Sequence, residues 1–159
     1  MSGEAISSSI LLIGAAVGAA FLIAAILPAI FSAGDTFGTV AHSADSKMKT
    51  DFRIVNTYAS TSPNVTVWMK NVGANRLSIY DIQKSDIFYT KNTGQVTSLT
   101  YPDGFGYALT DSSNNGYWDI GETLQVSVKS PTITDGDQIY FSFTTPNGVR
   151  RTTTFSTNV

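Results

Sequence analysis

The feature that most constrains this chain is an uncharged stretch from Ala5 to Gly34, within which Ile10 to Phe31 is almost wholly apolar or small. About 22 helical residues rising about 1.5 Å each span about 33 Å, the hydrocarbon thickness of a bilayer. A secretory signal peptide instead has an apolar stretch of about 7–15 residues behind a basic start. Here no Lys or Arg precedes the run, and no small-residue cleavage site closes it. The segment therefore reads as retained.

Pro28 is the only breaker inside the run, and a proline can kink a helix without ending it. Beyond it, Phe37, Val40, Ala41, Ala44 and Met48 fall on one helical face, with Asp35, His42, Asp45 and Lys47 off the stripe. The spacing predicts one long helix from Ser2 to Lys49, apolar first and amphipathic after. His42 and Asp45, three residues apart, read as a surface helix pair. Lys47 and Lys49 follow the span, so a positive-inside count alone would put the C-terminal part in the cytoplasm. Large translocated domains often ignore that count.

From Thr50 the texture changes to short alternating runs. Phe52, Ile54, Asn56 and Tyr58 form one, and Val65, Val67 and Met69 another around Trp68. Ile79 to Ile82 and Ile87 to Tyr89 are shorter strand candidates. Leu124, Val126 and Val128 alternate with polar residues, as do Ile139, Phe141 and Phe143. Pro146-Asn147-Gly148 then turns the chain into Arg150 to Phe155, an Asn-Gly hairpin signal in which both central positions take φ > 0. About seven strands in about 110 residues, punctuated by turn residues, suggest an antiparallel sandwich. The expected class is α+β: a long N-terminal apolar helix over residues 1–49, then an antiparallel Ig-like β-sandwich over 50–159.

Composition narrows the function. The 159 residues carry a net charge of −2, no cysteine and one histidine. That balance argues against a nucleic-acid partner held by phosphate neutralisation. It removes disulfides, thiolate nucleophiles and Cys-based metal sites. His42 lies on the helix, so the sandwich has no histidine base. Asp81 with Asp86, or Asp111 with Asp119, are the available carboxylate pairs, and no phosphate loop or metal-binding helix gives them direction. The chain reads as non-enzymatic.

Four local patterns stand out. Gly14 and Gly18 are spaced GxxxG, and Ala15–Ala19 and Ala16–Ala20 repeat the spacing. Small residues four apart let helix backbones approach, so this stretch reads as helix-packing surface; the alternative is an Ala-rich lone anchor. Asp111, Ser113, Asn115, Tyr117, Asp119 and Glu122 match positions of a twelve-residue calcium loop, with Gly116 at the turn. The alternative is a polar connection in which the same residues supply turn chemistry. Asn64-Val65-Thr66 is a sequon, so Asn64 is a candidate glycan site, or an ordinary strand start. Arg150 and Arg151 are adjacent and should point to opposite faces of a strand. The hairpin from Gln138 to Phe155 is expected to offer an edge for a partner strand.

A long apolar helix leading into a β-sandwich resembles archaellins and type IV pilin-like subunits. Within that group the chain resembles the FlaF/FlaG family of archaellum accessory proteins. The resemblance rests on Ser2 to Ser7, the apolar run to Phe31, Val65 to Gly73, Ser85 to Tyr89 and Gly116 to Glu122. It implies a sandwich outside the cytoplasm facing the surface layer, in an archaeal cell envelope, with the helix in or near the membrane. It also implies a FlaF-like partner, self-association through the helix, and a stator-like anchoring role in the archaellum; it carries over no catalytic residue. Archaellin precursors carry basic residues before the apolar run, whereas none precedes Gly3. That departure favours the anchor, with a polymerising filament subunit as runner-up. A calcium-dependent adhesin-like module is a third reading.

Overall fold

The structure, a computed structural model, describes residues 2–60, 64–92, 94–110, 114–129 and 133–157. The chain divides into two compact units, Met1–Ala44 and Asp45–Val159.

The expected helix forms as one element, α1 (Ser2–Lys49), and it runs through Pro28. Proline removes one backbone donor, and the turns on either side keep their own bonds. Hydroxyls inside α1 fold back onto the carbonyl four residues earlier, Ser9 to Ala5 and Thr36 to Ser32, both at 2.8 Å. Such back-bonding spends a polar group inside the helix and leaves its outer surface apolar. Every described side chain from Gly3 to Ala44 is exposed. Ile10, Leu11, Leu12 and Ile13 are consecutive and all exposed. Four residues in a row cover nearly the whole circumference, so the helix is apolar all round rather than along one stripe.

The second unit holds β1 (Phe52–Ala59), β2 (Asn64–Asn71), β3 (Leu77–Ser78), α2 (Ile79–Gln83), β4 (Asp86–Lys91), β5 (Thr97–Leu99), β6 (Phe105–Thr110), β7 (Tyr117–Trp118), β8 (Thr123–Lys129), β9 (Gln138–Thr144) and β10 (Arg150–Ser156). They form two four-stranded sheets, β1-β2-β8-β6 and β10-β9-β4-β5, and a two-stranded ribbon, β3-β7. All pairings are antiparallel, as an Ig-like sandwich requires. The alternating residues point inward as their period dictates. Val65, Val67 and Met69 of β2 and Leu124, Val126 and Val128 of β8 are fully buried, as are Ile87 of β4 and Ile139, Phe141 and Phe143 of β9. Phe52 joins the sheets, with its ring edge-on to Phe143 at 5.4 Å and tilted against Trp118 at 5.7 Å.

Three local expectations are corrected. The run Ile79 to Ile82 is helical, because Ser78 and Asp81 close a capping box: Asp81 N donates to Ser78 Oγ at 3.1 Å, and Ser78 N donates to Asp81 Oδ2 at 3.2 Å. Asp81 is therefore a cap rather than half of a carboxylate pair. In β1 the register shifts between Ile54 and Asn56, a β-bulge, and the faces exchange there. Tyr58 turns outward at 55% exposure and Ala59 turns inward. In the β9–β10 turn only Gly148 has positive φ, at 82°. Thr145 N bonds Val149 O at 2.9 Å, closing a loop longer than a two-residue Asn-Gly turn. Four strands were not expected: β3, β5 and β7, whose two or three residues carry no readable period, and the six-residue β6, where Gly106 and Ala108 interrupt the apolar alternation.

Asp137 organises one end of the sandwich. Its carboxylate accepts from Lys91 Nζ at 2.8 Å, from Thr134 N and Thr134 Oγ1 at 2.7 Å, and from Asn92 Nδ2 at 2.8 Å. The Lys91 bond foremost, then those from Thr134 and Asn92, hold its carboxyl well below the usual carboxylate range. A depressed folded pKa contributes stability above the unfolded value of about 3.9 and loses it as pH falls below that point. Urea unfolding at pH 6, 4 and 2.5 should therefore show wild type losing stability steeply below about pH 4. Asp137→Asn should start less stable and show a shallower acid dependence.

Candidate functional site

Two features of the structure bear on function: the surface of α1 and the sandwich residues that receive its last turn. The six small residues singled out, Gly14, Ala15, Ala16, Gly18, Ala19 and Ala20, are all exposed. A Cβ built on Gly14 or Gly18 meets nothing within 4 Å. Among the described residues nothing of the chain covers this stretch.

The last turn of α1, within the sandwich unit, is held by an extensive set of hydrogen bonds. A helix leaves its final carbonyls without internal partners. Here Lys49 O accepts from Ala74 N at 2.8 Å and Asn75 N at 3.0 Å, and Asp51 O accepts from Val72 N at 3.0 Å and Gly73 N at 2.8 Å. Thr50 is 4% exposed; its Oγ1 donates to Ser46 O at 2.8 Å and accepts from Asn147 Nδ2 at 2.7 Å and Asn75 Nδ2 at 3.4 Å. Asn71 braces the receiving loop, with Nδ2 donating to Asn75 O and Trp118 O, both at 2.9 Å. Gly73 is required by space: a Cβ there would collide with the backbone of Lys49 and Asp51. In the sequence Asn147 stands out only as a turn residue, Gly73 only as the end of the Val65 to Gly73 block, and Thr50 only as the point where the texture changes; none of them signals a role at the helix end.

The charges sort as expected in part. Arg150 and Arg151 take opposite faces of β10. Arg150 Nε donates to Ser142 Oγ at 2.7 Å and its Nη2 to Tyr140 Oη at 3.0 Å, while Arg151 pairs with Asp51. Asp45 pairs with Lys49 at 2.8 Å, four residues on, rather than with His42.

Of the calcium-loop candidates, Asp111 and Ser113 lie outside the described residues. Asn115 Nδ2 donates to Asp119 Oδ2 at 2.7 Å, and Asn115 Oδ1 accepts from Tyr117 N at 2.8 Å. Glu122 Oε2 accepts from Asp119 N at 3.0 Å, and Tyr117 lies under the Arg76 guanidinium at 4.4 Å. These described polar atoms bond one another. Among the described residues no three acidic or histidine side chains converge as a metal site. Asn64 opens β2, with its backbone opposite Lys129; its side chain is outside the described set.

Comparisons with known proteins agree with this architecture. A family model for archaeal-type flagellin matches residues 2–155. A protein of Archaeoglobus fulgidus is 32% identical over 161 residues, covering 98% of this chain and 99% of its own. The archaeal flagellum of Methanospirillum hungatei strain JF1 matches with a TM-score of 0.73 at 20% identity, over 96% of this chain and 93% of that one. The archaellum periplasmic stator protein FlaG from Sulfolobus acidocaldarius matches with a TM-score of 0.55 at 19% identity, over 67% of this chain and 99% of that one. At these identities the two structural matches are likenesses of fold.

The bonds around the helix end lead to two expectations for thermal or urea unfolding. Gly73→Ala should cost about 1–3 kcal/mol, as overpacking against rigid backbone does. Thr50→Val should cost about 1–3 kcal/mol by leaving the Asn147 amide without its acceptor.

Proposed function

The chain belongs to the archaeal-type flagellin family, and from that premise we propose that it is a structural, non-enzymatic subunit of an archaellum-like filament, assembling through α1. The observation that carries this reading is the extent of exposed apolar surface. A single bilayer crossing needs about 20 apolar residues. In α1, Phe37 and Val40 remain 75% and 60% exposed after the uncharged run has ended. They form a stripe with Ala41 and Ala44 that a lone membrane anchor does not use. A bundle of copies uses both parts: the small residues at 14–20 for close approach and the later stripe for continued packing.

In this reading the helix rests in the membrane before assembly, and the sandwiches form the outer layer of the filament at the archaeal cell surface. The order of the two roles expected from sequence is thereby reversed. The stator-like anchor remains the second reading, favoured by the fold likeness of the sandwich to FlaG. The edge strand β10 would there pair with a FlaF-like protein or the surface layer.

Negative-stain electron microscopy of the full-length chain after detergent removal separates these roles. Filaments are expected, and the pair Gly14→Leu with Gly18→Leu should abolish most of them. Discrete particles, or single chains retained in lipid vesicles, would overturn the filament role and support the anchor.

A further inference from the structure

The ionisable groups of α1 point to how the copies align. Glu4 lies in the first turn, where the helix dipole favours a carboxylate. Asp45 and Lys49 neutralise one another at 2.8 Å. Beside His42, that leaves one acid and one base on the helix: Asp35 and Lys47 are both exposed, and among the described residues neither is in an ion pair. Asp35 ends the uncharged run and is followed by Phe37, which is 75% exposed. Packing α1 against neighbours would enclose that carboxylate among apolar side chains, where an unpaired charge is strongly disfavoured.

We propose that Asp35 of one copy pairs with Lys47 of a second copy, and that this pair sets the register between neighbouring helices. The inference rests on the filament reading and deepens it. Twelve residues separate the two positions, so parallel helices would be offset by about 18 Å along their axes. At about 100° per residue the two groups lie about 120° apart around α1. Complementary groups on different faces make a heterologous, head-to-tail contact, which propagates instead of closing into a dimer. Lys47 is also placed to receive a carboxylate. It borders a recess of about 420 Å³ with Met48, Asp51, Gly148, Val149 and Arg151, where Arg151 is already paired with Asp51 and Lys47 is not. Met48 there is 80% exposed, an apolar wall for the residues flanking Asp35.

The test is a pelleting assay on the full-length chain after detergent removal, at matched concentration and salt. It compares wild type, Asp35→Lys, Lys47→Asp and the double exchange, with thermal melting of the sandwich as a folding control. Each single reversal is expected to lower the assembled fraction about tenfold, the equivalent of about 1.4 kcal/mol, and the double exchange to restore it. Wild-type assembly with an unaffected Asp35→Lys, or a double exchange as defective as the singles, overturns the pairing and leaves the filament role standing. A wild type that stays unassembled overturns both. If Asp35→Lys fails the melting control, Asp35→Asn decides: a reduced assembled fraction supports the pairing, and an unchanged one overturns it.

Discussion

The rest of this structure depends on an apolar surface that none of the described residues covers. A helix with one apolar stripe can be buried by a single sheet or partner helix, whereas one apolar around its circumference needs surroundings on every side. From Gly3 to Ala44 no described side chain of α1 is buried. Hydroxyls in and after the uncharged run turn inward onto their own carbonyls, so little on that surface asks for water. Lipid and neighbouring helices both satisfy such a surface.

Within the sandwich unit, the residues from Asp45 onward are held by short connections. The carbonyls of Lys49 and Asp51 are taken by backbone N–H groups of residues 72–75, and Thr50 is buried among Asn75, Asn147 and the carbonyl of Ser46. Phe52 follows at once and lies in the core between Trp118 and Phe143. Backbone hydrogen bonds have fixed lengths and directions, so this turn is held closely to the sandwich core.

Much of this was legible from residue order, and the failures have local causes. The long helix was readable because absence of charge and a 3.6-residue spacing are properties of consecutive residues. The central strands β2, β8 and β9 were readable because their faces alternate without interruption. Ile79 to Ile82 misled because its apolar content outweighed the capping signal of Ser78 and Asp81. In β1 the bulge after Ile54 exchanged the faces of Asn56 and Tyr58, which no alternation pattern anticipates. The opposite directions of Arg150 and Arg151 followed from strand geometry alone.

What the sequence determined by itself is what depends on neighbours along the chain: the extent of α1, its apolar character, the small residues at 14–20 and the inward faces of the central strands. Only the tertiary structure decided which residues meet across distance. It brought Thr50 to Asn147 and Asp51 to Arg151, and it placed Gly73 where a side chain does not fit. It brought Lys91 and Asn92, at the end of β4, to Asp137 beside β9 in the same sheet. Such contacts join residues that the order of sheets and the paths of loops bring together, and a periodicity read along one strand carries no information about the loop that packs against its end.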